Sequence, residues 1–485
     1  MTRRTTSTKL KAVAALSVSL ALVGCRGSAD SGDGSSSGGG EPLTTGAAPV
    51  ADSTASPAEG TGASEGSTAS EGSTAAEGST ASSGTGGGEV AMAPEVECPD
   101  SEPGRTDSTL KLGGTYPLSG PVAAYASIPV GIDSWFQHVN EQGGITAGDG
   151  NQYQIEWSYL DDQYQPPKSL ENVRRLIEQE NVWMVFNPLG TPPNVAIREY
   201  MNEAQVPQFM VATGASTWGA DIEQYPWTIG YQPDYESEGI AYAQYILEQN
   251  PDANIAIVYA NDDFGKDYLN GIKEGLGDKV GQLTTEVTYE TTDATIDSPV
   301  SQALGSNPDA FILIATPAFA IQGINQTQAL GYEGIKIVTS VSSSVGAVIR
   351  NTNQGAATDW ITSVYLKDPT DPAYDEDPAM QEYLDLMGQY HPDANTDDAL
   401  YLFGMSVAQA FQHALEATPN VCREGIMESA KHMEWAEPPL VLEGIEIKTD
   451  VPGDGFPIQA VQLQRWNGEQ YEKFGDIIDA TEVTE

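Results

Sequence analysis

The chain has 485 residues, with 22 Lys or Arg against 69 Asp or Glu and a formal net charge of −47. That balance excludes nucleic acid as a partner, because binding a polyphosphate needs a basic footprint. The length exceeds one simple core, and acid spread along the whole chain fits solubility or a saline habitat better than one cationic ligand.

Residues 1–24 read as a targeting leader rather than part of a fold. Arg3, Arg4, Lys9 and Lys11 precede an apolar run from Ala12 to Val23, broken by Ser17 and Ser19. The run is too short to span a bilayer. It ends in Leu22-Val23-Gly24-Cys25, which resembles the lipobox of bacterial lipoprotein signal peptides. That resemblance implies a diacylglyceryl group on Cys25, which becomes the first mature residue. Two acyl chains, at about 0.8 kcal/mol per buried CH₂, suffice for stable anchoring.

Residues 25–95 hold mostly Gly, Ser, Thr, Ala and Glu, and Ala-Ser-Glu-Gly-Ser-Thr returns in varied form from Ala63, Ala69 and Ala75. No position of the repeat is large and apolar, so there is no seam for a coiled coil. The segment is expected to be a disordered tether with a reach of roughly 40 to 50 Å. Of the three cysteines, Cys98 and Cys422 remain after the lipid site. In an oxidising compartment they are expected to pair, the alternative being two free buried thiols. Neither has the Cys or His neighbours of a zinc site.

From Thr109 short apolar runs alternate with helical stretches, the rhythm of an α/β fold with parallel sheets flanked by helices. Leu110–Thr115 reads as a strand. Ile128–Gln142 reads as a helix with Ile132, Trp135, Phe136 and Val139 on one face, stopped by Gly143-Gly144. Strands follow at Gln154–Asp161, Val182–Phe186 and Gln208–Ala212, with helices at Lys168–Gln179 and Val195–Ala204. After Gly230 the pattern resumes. Helices are expected at Glu238–Glu248, Asp267–Gly275, Pro299–Leu304 and Phe319–Leu330, and strands at Asn254–Tyr259, Leu283–Tyr289, Ala310–Ala315 and Lys336–Thr339.

Several segments in this order resemble one family. Leu112-Gly113-Gly114-Thr115-Tyr116-Pro117-Leu118-Ser119-Gly120-Pro121 and Asn140-Glu141-Gln142-Gly143-Gly144-Ile145 look like the opening of the type I periplasmic binding proteins of branched-chain amino acid ABC transporters. Tyr159-Leu160-Asp161-Asp162, Asn261-Asp262-Asp263-Phe264-Gly265-Lys266 and the stretch Pro457 to Gly468 are similar to its later landmarks. The resemblance covers about residues 109–478. It implies two Rossmann-like lobes joined by a three-segment hinge near Ile229–Pro233, Ile361–Lys367 and Ile447–Pro452. Lobe 1 is expected at 108–230 plus 366–447, and lobe 2 at 231–365 plus 448–478. Closure around a ligand is then hinge bending.

Ligands of open α/β sheets bind beyond the carboxyl ends of the strands. By resemblance, Thr191, Gly214 and Ser216 fall on positions that hold an amino acid's carboxylate and amine, and Tyr125 on the aromatic that covers the ligand. Phe264 and Thr316 fall on aromatic positions of the second lobe. An acid that pairs with the ligand ammonium is expected after Lys336–Thr339, but Val341-Ser342-Ser343-Ser344 stands there. A buried ammonium without a counter-charge is costly. Asp262, Asp263 or Tyr365 could substitute, or the ligand lacks an amine.

An enzyme is not expected. His138, His391, His413 and His432 lack a metal-ligand spacing, and no nucleophile elbow or phosphate loop is present. The acidic pairs Asp161-Asp162 and Asp397-Asp398 read as loop edges or helix caps rather than acid–base or calcium sites. The resemblance implies no cofactor and no metal. It implies a monomer on the outer face of the membrane, with a small polar solute and a cognate ABC permease as partners. The alternative is a receptor that reports its ligand to a signalling partner.

Overall fold

The computed structural model describes residues 90–451 and 455–479. The leader, Cys25 and most of the expected tether lie outside them. In chain order the first strands are β1 (Thr109–Tyr116), β2 (Ile145–Thr146), β3 (Gln152–Asp161), β4 (Met184–Phe186), β5 (Gln208–Val211) and β6 (Thr228–Gly230). They form a six-stranded sheet in the order β2-β3-β1-β4-β5-β6. All its pairings are parallel except the antiparallel edge strand β2. Between them run helices α1 (Ser127–Glu141), α2 (Pro166–Glu178), α3 (Thr191–Ala204) and the single turn α4 (Thr217–Ala220).

The second sheet collects β7 (Ile255–Ala260), β8 (Leu283–Tyr289), β9 (Ala310–Ile314), β10 (Ile335–Val338) and β11 (Trp360–Val364), all parallel. Helix α5 (Tyr235–Gln249) leads from β6 into β7, and α6 (Asp263–Leu276), α7 (Asp297–Leu304) and α8 (Pro317–Ala329) connect the strands of this sheet. The chain then returns to the first lobe for α9 (Pro378–Tyr390), α10 (Ala399–Glu416), α11 (Arg423–Lys431) and the ribbon β12 (Glu434–Trp435) with β13 (Ile447–Lys448). A closing hairpin, β14 (Ala460–Trp466) and β15 (Tyr471–Asp479), adds antiparallel to β11. The second sheet therefore runs β15-β14-β11-β10-β9-β7-β8.

Central strands such as β9, Ala-Phe-Ile-Leu-Ile, are buried along their whole length. That is why they read as continuous apolar runs and not as an alternation. In the first lobe, Phe136, Phe186, Phe209 and Phe411 meet at ring distances of 5.4 to 6.4 Å and tie α1 and α10 to one face of the sheet. On the other face Val173, Leu176, Ile197 and Met201 seat α2 and α3. Helices α1 and α10 touch backbone to backbone because each offers a glycine. A Cβ on Gly131 would collide with the Tyr401 carbonyl, and one on Gly404 with the Ile128 carbonyl.

The late helices α9–α11 and the short strand β6 were not anticipated from the sequence. The segment expected as the second crossing begins as strand β11, because Ile361 pairs with both β10 and β14 before the chain turns away.

Cys98 and Cys422 form a disulfide, with Cα atoms 5.8 Å apart. Around it the entry segment is pinned to the first lobe. Ala93, within the range expected as tether, is buried and donates its N–H to Ala417 O at 2.9 Å. Glu102 accepts from the Trp183 indole at 3.0 Å and from Arg423 N at 3.1 Å.

Candidate functional site

The carboxyl ends of the two sheets face each other across a cleft of about 950 Å³, counting the space open to solvent. From the first lobe, β4 runs into Gly190, held at φ 93°, and Thr191 opens α3. Thr191 Oγ1 shares a short hydrogen bond with Thr213 Oγ1, so its hydroxyl is fixed at the cleft wall. Tyr125 sits in a 3-10 turn over Ala123–Ala126, and its hydroxyl donates to Val341 O of the second lobe at 3.2 Å.

The acidic pair after β3 builds a turn. Asp162 is buried and accepts from Thr115 Oγ1, Ser169 Oγ and Tyr164 N at 2.9 Å each. Burial raises its carboxyl from the usual range, although these bonds oppose the shift. Asp161 accepts from Ser119 Oγ at 2.6 Å and Leu118 N at 3.0 Å. The turn forces Tyr164 to φ 59° and lays its ring against Gly190 at the cleft.

In the second lobe Asp262 caps α6 by accepting from Gly265 N at 3.1 Å, which leaves Phe264 on the cleft. Phe264 meets Tyr235 edge-on at 5.3 Å, and Tyr235 stacks on Tyr268 at 4.5 Å. Thr316 precedes α8, and its buried Oγ1 has no hydrogen-bond partner among the described residues. The loop after β10 is held from below by Glu238, which is 2% exposed. That carboxylate accepts from Tyr242 and Tyr268 hydroxyls at 2.6 and 2.9 Å and from Ser340 N and Oγ at 3.0 and 2.7 Å. Ser340, Val341, Ser343 and Ser344 thereby line the cleft.

Of the residues singled out in the sequence, Tyr125, Thr191, Phe264 and Thr316 come together on this cleft, and Gly214 and Ser216 do not. Gly214 is pressed against Pro233 O and the Tyr235 ring, where no Cβ fits. Ser216 bridges the lobes instead, donating from N and Oγ to Asp267 of α6 at 2.8 Å each. Burial pushes the Asp267 carboxyl up to about 7, against those two bonds and with Glu236 and Asp234 adding repulsion. A third bridge joins Ser344 Oγ to Asp398 Oδ1 at 2.8 Å, and Asp398 also accepts from Ser127 Oγ at 2.8 Å. The pair Asp397-Asp398 is thus spent on Arg350 and on capping α10. Among the described residues no group of three or more His, Cys, Asp or Glu is arranged to hold a metal ion.

Tyr365 lines the cleft, whereas Asp262 and Asp263 do not. Sequence reasoning missed Tyr164, Gln232, Tyr235, Phe403, Lys367 and Asp368, all on the wall. Phe403 sits within the apolar pattern of α10 and reads as core. Asp368 lies in Lys-Asp-Pro-Thr-Asp-Pro, which reads as a turn.

No curated protein matches the chain. Among solved structures, a substrate-binding periplasmic protein from Ralstonia solanacearum superposes with a TM-score of 0.64 at 19% identity, covering 75% of this chain and 100% of its own. A branched chain amino acid ABC transporter structure from Thermus thermophilus with bound valine gives 0.66 at 14% identity, covering 78% and 97%. A fatty acid ABC transporter substrate-binding protein from Thermomonospora curvata gives 0.62 at 19% identity, covering 79% and 95%. These likenesses establish a shared fold and leave the ligand open, since one of these proteins is named for branched chain amino acids and another for fatty acids. A family model described as periplasmic binding protein matches residues 109–471, and with both sheets and the cleft inside that span the chain belongs to the periplasmic binding protein family.

Proposed function

We propose that this chain is an extracellular, lipid-anchored solute-binding protein, a monomer of two lobes spanning 108–230 plus 366–447 and 231–365 plus 448–478. It captures a small polar ligand, an amino acid, amide or small carboxylate, and delivers it to an ABC importer in the same membrane. The carrying observation is the cleft between the carboxyl ends of two sheets, with Tyr125, Thr191, Phe264 and Thr316 on its wall. Hydroxyls and aromatic rings suit a small ligand with a few polar groups. No reaction chemistry is needed: the work is capture, closure and release.

A ligand that binds the folded form alone stabilises it by RT ln(1 + [L]/Kd), about 2.7 kcal/mol at a hundredfold excess over Kd. Thermal unfolding of the purified protein against amino acids, amides and small carboxylates is expected to show a rise in Tm of several degrees for at least one class. A flat response across all three classes would remove the reading. Mass spectrometry of whatever copurifies narrows the class independently.

A further inference from the structure

One wall of the cleft is the hinge segment that leaves β11. Among the described residues on that wall and around the rest of the cleft, Asp368 is the one carboxylate. Its Oδ1 accepts from Thr370 N at 2.8 Å and Thr370 Oγ1 at 2.7 Å. Its Oδ2 has no hydrogen-bond partner among the described residues.

The neighbouring cations do not neutralise it. Lys367 Nζ lies 2.7 Å from Asp377 and 3.4 Å from Glu443. Lys473 Nζ lies 2.5 Å from Asp371. Two ammonium groups therefore face the four carboxylates of Asp368, Asp371, Asp377 and Glu443. Burial raises the Asp368 carboxyl from its usual range, with Asp371 adding repulsion and Thr370 and Lys473 opposing. Asp368 is half-buried at the cleft wall, so the carboxylate oxygen that no protein group binds presents its charge to whatever enters the cleft.

The rest of the cleft suits such a cation. Tyr125, Tyr164, Tyr235, Phe264, Tyr365 and Phe403 supply six aromatic rings, and ring faces attract ammonium groups where water is excluded. The buried Thr316 Oγ1, unpartnered among the described residues, offers one neutral polar contact on the same cleft.

We propose that the ligand carries an ammonium group and that Asp368, on the hinge, is its counter-charge. This deepens the solute-binding reading and rests on it. The acid that the second-lobe loop lacks is supplied by the segment that bends on closure, so the ligand's charge is gathered as the lobes meet.

The test uses matched probes on the full chain: choline against 3,3-dimethylbutan-1-ol, isopentylamine against isopentanol, and L-leucine against 4-methylpentanoate. Calorimetry is expected to show at least one ammonium probe binding more tightly than its amine-free counterpart by about tenfold, the equivalent of one pKa unit of charge interaction. Asp368→Asn is expected to abolish that preference, and Asp368→Glu to retain it. If Asp368→Asn does not fold, a crystal structure of the wild-type protein with the tightest ammonium probe takes its place, with the nitrogen expected within about 4–6 Å of Asp368 Oδ2. Equal binding of charged and neutral partners, a preference that survives in Asp368→Asn, or a nitrogen lodged elsewhere overturns the proposal and leaves solute binding intact. Silence from every probe at millimolar concentration overturns the ammonium assignment. Solute binding itself falls only if the amides and carboxylates of the wider thermal screen are silent too.

Discussion

Asp267 holds the lobes together with a carboxylate that burial makes reluctant to ionise. A water-exposed aspartate has a pKa near 3.8, and burial against Ser216 pushes this one up to about 7. An acid whose pKa is raised on closure favours closure most when protonated. That contribution is complete below about pH 4 and is lost as pH rises through 7. Wild-type protein is therefore expected to bind its ligand about tenfold more tightly at pH 5 than at pH 8, relative to Asp267→Asn, whose amide has no charge to bury. Calorimetric titrations of both forms at the two pH values check this, and identical pH profiles would remove Asp267 as the cause. Glu238 plays a different part, since it touches no cleft space itself but fixes Ser340 from beneath. Neither role was legible in the sequence. Asp267 stands in a helix pattern that reads as solvent-facing, and its partner Ser216 is 51 residues away.

At the scale of elements, the disulfide ties the entry segment to the loop before α11, in the first lobe. It closes a loop of 324 residues. In the chain-entropy account, closures of that length are worth about 6 kcal/mol, with measured values commonly lower. The double variant Cys98→Ser/Cys422→Ser is expected to lower Tm by several degrees. Ligand affinity in the folded protein should stay unchanged, because neither cysteine lines the cleft. Calorimetry and thermal unfolding on the same samples check both halves, and a lost affinity at unchanged Tm would contradict the assignment. Elements with strong local patterns were readable: α1, the β3 turn with its two acids, and the fully buried strands of the second sheet. α9 to α11 were not, although Leu402, Met405, Val407 and Phe411 are buried on α10. Helix α10 is buried around most of its circumference between α1 and the first sheet, so it offers no clear apolar stripe.

For the whole molecule, the lipid-anchored reading proposed above predicts that Cys25→Ala releases the protein into the medium. Fractionation followed by immunoblotting reads the outcome, and variant protein that remains in the membrane fraction would refute the anchor. The closing of the cleft is a property of the assembled lobes alone. Tyr125 meets Val341 across 216 residues and Ser344 meets Asp398 across 54, so each bridge joins segments that no local pattern connects. Sequence by itself determined the α/β class and the order of most strands along the chain, while the cleft at their carboxyl ends was what the family resemblance implied. Hydrophobic periodicity and turn chemistry are local and leave their mark residue by residue. It also brought Tyr125, Thr191, Phe264 and Thr316 to notice through motif resemblance. Only the tertiary structure decided that Gly214 and Ser216 serve packing and bridging, and that the cleft's carboxylate is Asp368. Whether a side chain faces a ligand, a partner lobe or its own backbone depends on which distant surface arrives opposite it.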